Sequence, residues 1–287
     1  MPNLTKREIL EARQARFRRR MDLRITTPAE AKVFVDDVGF CLLFPTQVEA
    51  PSLWDAIAGR VVKTYSSHSG YEIERTWGWK DDSLDKKRWY YGKLLRHKAT
   101  LVSLDFLPNF YALSENYGDY EHDYLDEYRE GRLSAEAKAI YEALLKNGAL
   151  DAIRLRREAH MSSEASKPRF EKALTELQIG LKVLPIGIAE AGAWRYAFIY
   201  EVLPRWLPDV PERARDIERG RAKQAILDQY LRNVIATTLP VASRLFGWTL
   251  PETRQVAEAL AQQGRLSLDV KVAGISELQI VIKSRRK

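Results

Sequence analysis

The chain has 287 residues, 46 Lys+Arg against 39 Asp+Glu for a formal net charge of +7, and a single cysteine. Its length suggests two or three domains at roughly 100–200 residues each, and 45% hydrophobic with 30% charged residues is the composition of a globular chain rather than a disordered one. Lone Cys41 excludes an internal disulfide and any zinc site built on paired thiolates, the first twenty residues lack the apolar core of a signal peptide, and no apolar run approaches the roughly 18 residues of a membrane span.

In chain order, residues 5–22 read as a basic helix. Thr27 as N-cap, Pro28 at the first helical position and Glu30 closing a capping box start a second helix that should run to Gly39. Pro45 and Pro51 bracket a loop, and Ser52 to Ala58 reads as a short helix. Asp81 to Leu95 is expected to be helical with a basic face, Ala99 to Phe106 a strand, and Pro108 to Tyr111 an aromatic turn. The acidic stretch 115–130 holds seven acids and one arginine, so the remainder is more basic than the net charge suggests.

The middle third is more regular. A helix opens at Ser134 and stops at Gly148, a second spans Asp151 to His160, and a third starts after Lys167. In that third helix Phe170, Ala173, Leu174 and Leu177 recur at i, i+3, i+4, i+7, so one face is buried and Lys167, Arg169 and Lys172 are left outside. The apolar run Leu181 to Ile188, a turn at Gly192 and the alternation Trp194, Tyr196, Phe198, Tyr200 then predict a hairpin. Helix, helix, helix and hairpin is the winged-helix order, with the third helix as groove reader and the hairpin as wing.

The last third repeats it. Ala222 to Thr237 and Val241 to Phe246 are helical, and Thr249 with Glu252 forms another capping box. The following helix should place Val256, Ala259 and Leu260 inwards and Arg254 outwards, before a hairpin from Leu266 to Val272 and Glu277 to Lys283 about Gly274. The fold class is therefore mainly α with short β-hairpins (α+β), as tandem winged-helix modules. The expected divisions are a helical or winged-helix-like module at 1–114, an acidic linker at 115–133, a second winged-helix module at 134–208 and a third at 209–287.

Basic clusters at 13–24, 86–98 and 283–287, interleaved with Trp89, Tyr90 and Tyr91, point to a polyanion partner, usually nucleic acid, and with the winged-helix order the expected partner is double-stranded DNA. Lys167, Arg169 and Lys172 are the first candidates for phosphate contact, followed by Arg195 on the wing, Arg254, and the group Arg88, Arg96, His97 and Lys98. Trp194 reads as a strand core residue in preference to a base wedge. The four histidines (His68, His97, His122, His160) lack metal-ligand spacing, so no metal and no cofactor are expected. No Ser/His/Asp set, P-loop or Rossmann glycine pattern is present. A protein of the cytoplasm, associated with the nucleoid, is the expectation.

Three segments, FEKALTELQIGLKVLPIG (170–187) with AGAWRYAFIYEVLPRWLP (191–208), RNVIATTLPVASRLFGW (232–248) and VGFCLLFPTQVEAPSLW (38–54), resemble the AlkZ/YcaQ family of DNA glycosylases. That resemblance implies three winged-helix modules around a concave DNA-binding surface and excision of bulky or crosslinked N7/N3-alkylpurines. It also implies a further C-terminal β-rich part, expected here to be missing or minimal. The family's Gln-x-Gln or Gln-x-Asp motif falls on Pro45-Thr46-Gln47, so Gln47 takes the second motif position and proline the first. A family aromatic followed by His-Ala is Trp77-Gly78-Trp79-Lys80-Asp81 here. Gln47 is the candidate catalytic residue, by orienting a water, with Thr46 a second candidate and Asp36 or Asp37 as support for a sugar cation. A non-catalytic DNA-binding relative, regulator or lesion binder, is the alternative that Pro45 keeps open.

Overall fold

The structure is a computed structural model, described for residues 4–62, 70–114, 116–192 and 195–283. His68, Trp194 and the basic residues after Lys283 lie outside the described residues. The chain divides into two compact units, one formed by residues 1–77 with 219–287 and the other by 78–218.

Along the chain one order of elements recurs three times. It first runs helix Pro28–Val38, strand Phe40–Leu42, helices Leu53–Ala58 and Tyr71–Asp81, and strands Tyr90–Gly92 and Thr100–Val102. The second pass is helix Ala135–Asn147, strand Leu150–Asp151, helices Ala152–Glu158 and Lys167–Ile179, and strands Val183–Ala189 and Ala197–Val202. The third is helix Arg219–Val234, strand Ala236–Thr237, helices Leu239–Phe246 and Leu250–Gln262, and strands Leu266–Val270 and Gln279–Ile282. In each of the last two the short strand after the first helix pairs antiparallel with the last strand, Leu150 opposite Tyr200 and Ala236 opposite Val281, which completes a three-stranded sheet with the hairpin. These are winged-helix modules in tandem.

Local chemistry sets the boundaries. Capping boxes open Lys6–Arg16 at Thr5, Pro28–Val38 at Thr27 and Leu250–Gln262 at Thr249, each satisfying two otherwise orphaned backbone donors. Ser134 and Asp151 cap the next pair of helices, and Gly39 and Gly247, at φ +74 and +71, stop theirs in a conformation that glycine adopts without steric cost. Phe170, Ala173, Leu174 and Leu177 are buried together with Ile140, Tyr141, Leu144 and Val202, the core of the 78–218 unit. Lys167, Arg169 and Lys172 face solvent.

Several expectations need correction. Asp81 to Leu95 is not a helix: the helix runs earlier, Tyr71–Asp81, and Tyr90–Gly92 is a strand paired with Thr100–Val102. Buried Trp89, Tyr90 and Tyr91 demand a pleated surface, and Lys87 at φ +49 breaks any helical path to them. The first helix ends at Arg16, because Arg18 at φ +57 turns the chain after buried Phe17. Leu107–Tyr111 is a short helix with Pro108 in its first turn, not a turn alone. In Leu250–Gln262 it is Ala257 that is buried beside Val256 and Leu260, with Ala259 half-buried. The acidic stretch contains the helix Asp123–Arg129, whose Tyr124 packs into the 78–218 core. Among the described residues no helix is long and apolar enough to cross a membrane.

Candidate functional site

Within the 1–77/219–287 unit, the loop carrying Gln47 is closed at its base by two backbone bonds, Leu42 N–H to the Pro51 carbonyl at 2.9 Å and Trp54 N–H to the Leu43 carbonyl at 3.2 Å. Ser52 Oγ caps the helix that follows by accepting from Asp55 N–H at 3.2 Å. Beneath lies an ionic anchor. The Arg19 guanidinium donates to Asp55 Oδ2 at 2.8 Å and to Glu49 Oε1 at 2.6 Å, and stacks on Phe17 at 4.6 Å. Asp55 is fully buried, and its other oxygen accepts from Val62 N–H at 2.9 Å. Tyr230 completes the anchor by donating to the Glu49 carbonyl at 2.9 Å. Both charges of the buried pair are thus met by hydrogen bonds, the condition under which such a pair is tolerated.

At the loop tip Thr46 Oγ1 accepts from Val48 N–H at 3.2 Å, so this hydroxyl shapes the turn. Gln47 is exposed, and its carboxamide has no hydrogen-bond partner among the described residues. Its two N–H donors and its carbonyl face solvent. Asp36 pairs with Lys32 one turn earlier on its own helix at 2.5 Å, and Asp37 with Arg16 at the end of the first helix.

Phe44, three residues before Gln47, packs edge-on against Trp54 at 5.4 Å and tilts against Trp77 at 5.1 Å. Trp54, Ala58 and Ile73 form the buried base of this cluster. Trp54 is 6% exposed, whereas Trp77 is 38% exposed.

The end of the Tyr71–Asp81 helix carries a different cluster, in the 78–218 unit. Lys80 is fully buried, with Nζ 2.5 Å from Asp81 Oδ1, 3.1 Å from the Tyr196 hydroxyl, and over the rings of Phe198 and Tyr91 at 4.4 and 5.2 Å. Tyr196 in turn donates to Asp81 at 2.9 Å. Burial pulls the Lys80 ammonium below its usual range, opposed by the neighbouring Asp81 carboxylate. The group ties the start of the strand Ala197–Val202 to the helix end.

The predicted DNA contacts separate by pairing. Arg169 sits 3.4 Å from Glu136, Arg195 pairs with Glu190, and Arg254 lies 3.6 Å from Asp269 and 3.9 Å from Glu258. Lys167, Lys172, Arg88, Arg96, His97 and Lys98 have no ion-pair partner among the described residues. In the 78–218 unit the Leu95–His97 turn packs against the Lys167–Ile179 helix, and Gln178 fastens the two by accepting from Lys93 N–H at 3.2 Å while its carbonyl accepts from the Tyr90 hydroxyl at 3.2 Å. The structure therefore sets the turn carrying Arg96 and His97 against the helix that also carries Lys167 and Lys172, some seventy residues later in sequence, with Gln178 at the helix end as the tie. Arg254 belongs to the other unit.

Sequence reasoning missed Phe44 and the Arg19–Asp55–Glu49 anchor, and named Trp77 only as the counterpart of a family aromatic. It also missed Arg156, which donates to the carbonyls of Met161 at 3.1 Å and Ser163 at 2.8 Å and so fixes the turn before the third helix.

The family described as AlkZ related matches residues 25–247. Among solved structures, the Streptomyces sahachiroi DNA glycosylase AlkZ is similar with a TM-score of 0.54 at 13% identity, over 94% of this chain and 69% of that one. A search of curated proteins finds no match. With more than three quarters of its length inside the family match, the chain belongs to the AlkZ-related family.

Proposed function

We propose that this protein binds double-stranded DNA and hydrolyses the N-glycosidic bond of bulky or crosslinked N7- or N3-alkylpurines, with Gln47 positioning the water. The observation that carries this reading is the unpartnered Gln47 carboxamide on a loop anchored from below by Arg19, Asp55 and Glu49. An alkylpurine cation is already a good leaving group, so the reaction asks for an oriented water more than for a strong acid. A neutral amide on a rigid loop supplies that orientation without titrating. Family membership and the tandem winged helices support DNA as the partner. The basic side chains without an ion-pair partner among the described residues, Lys167, Lys172, Arg88, Arg96, His97 and Lys98, are the preferred phosphate contacts, since Arg169, Arg195 and Arg254 must first leave a carboxylate. Thr46 is assigned the turn rather than the chemistry.

Pro45 favours a second reading, a lesion binder that kept the scaffold without catalysis, because proline offers no side-chain hydrogen bond at the first motif position. Single-turnover incubation with a duplex carrying one N7-alkylguanine separates the two. Release of the free base supports hydrolysis, and tight salt-sensitive binding without release supports the lesion binder.

A further inference from the structure

Trp77 stands out in the 1–77/219–287 unit for what it leaves uncovered. Ile73 and Trp77 lie four residues apart and so share one stripe of the Tyr71–Asp81 helix. Ile73 is 3% exposed in the cluster with Trp54, but one turn later Trp77 emerges beside Phe44 and keeps 38% of its surface in water. It is the one tryptophan among the described residues with more than a third of its surface exposed. Phe44 supports it at 5.1 Å and is itself braced by Trp54 at 5.4 Å, so the exposed ring is held and not merely tethered. Phe44 also opens the loop whose tip is Gln47.

We infer that Phe44 and Trp77 form a stacking platform for the extruded purine, and that the platform selects the cationic, alkylated base over its neutral counterpart. This rests on the reading of Gln47 as the hydrolytic residue. A base leaving the duplex loses its stacking partners and regains them most cheaply on a fixed aromatic surface. The faces of indole and phenyl rings are electron-rich, so a purine carrying positive charge from N7 or N3 alkylation is attracted to them beyond ordinary stacking. Neutral guanine receives only the stacking part. Discrimination therefore falls on the chemical property that also makes the base a leaving group.

The test is equilibrium binding to three duplexes that differ at one position: guanine, N7-methylguanine stabilised against loss by a 2′-fluorine, and 7-methyl-7-deazaguanine, which has the same shape without the charge. The wild-type protein should bind the N7-methylguanine duplex most tightly. Trp77→Ala and Trp77→Leu should each lose that preference, roughly 2- to 30-fold, while weakening the guanine and deaza duplexes by one common factor, and Trp77→Phe should keep most of it. Leucine preserves apolar bulk, so its failure, with an unshifted melting temperature, assigns the effect to the ring. Preference retained in Trp77→Leu, or no wild-type preference for the charged base over its deaza isostere, overturns the proposal. Base release from an unfluorinated duplex is followed alongside. Preference without release would sink the hydrolytic reading and leave the platform standing, whereas release with preference untouched by Trp77→Leu would do the reverse.

Discussion

Replacing Asp55 by alanine should cost about 3 kcal/mol of stability, the lower end of what removing one partner of a buried ion pair costs. Asp55 is fully buried and holds both Arg19 and the Val62 amide, so its loss leaves a guanidinium that is 11% exposed with Glu49 as its remaining carboxylate. Glu49, at 37% exposure, lies in partial contact with water and compensates only in part. Arg19→Met alone strands the opposite charge and should cost a similar amount. The double variant buries no orphaned charge, so its loss should fall short of the summed single losses by about 2 kcal/mol. Urea unfolding of the four proteins, followed by circular dichroism, gives the cycle. Additive losses, or a cost below about 1 kcal/mol for Asp55→Ala, would refute the claim that this pair anchors the Gln47 loop.

Alkaline stability should fall steeply above pH ~10. Burial raises the phenols of Tyr90, Tyr141 and Tyr200, and that of Tyr230 to about 12. A folded-state pKa above the unfolded value means stability is fully present below ~10 and lost as pH rises, at about 1.4 kcal/mol per pH unit for each phenol. Lys80, shifted downwards, works in the opposite sense as a single group. A cooperative step in phenolate absorbance, beyond the gradual rise from exposed tyrosines such as Tyr71 and Tyr117, should therefore appear together with unfolding, and complete ionisation before unfolding would contradict the assignment. Lys167→Gln with Lys172→Gln should weaken DNA binding evenly across sequences and reduce the slope of log affinity against log salt by about 2; an unchanged slope would remove that helix from the interface. Arg156→Ala should cost about 1 kcal/mol or less yet speed amide exchange at 161–163 and lower DNA affinity, and unaltered exchange would show that the turn holds without it.

What the sequence disclosed was local. Thr27 with Glu30 and Thr249 with Glu252 each state a helix start within four residues, and the Phe170 to Leu177 stripe states which face is covered. Such signals are complete in themselves, so the order of elements followed. The Asp81 to Leu95 error had the same origin in reverse: charges at helical spacing suggested a surface helix, while the aromatic triplet at 89–91 was answering to a strand ten residues further on. The site was less legible because its parts meet only through folding. Arg19 and Asp55 are 36 residues apart, and nothing near either names the other. The resemblance pointed to Gln47 and to Trp77, but not to the anchor beneath the loop nor to the packing of Trp77 on Phe44.

The most direct test is the rate of base release at saturating enzyme from a duplex containing one N7-methylguanine, for the wild-type protein and Gln47→Ala together with the dissociation constant of each. Release by the wild type, a loss of at least roughly 100-fold in Gln47→Ala and affinities within about twofold of each other are the expected results. Equal release rates in the two proteins would contradict the role given to Gln47, and no release from either would contradict the hydrolysis itself.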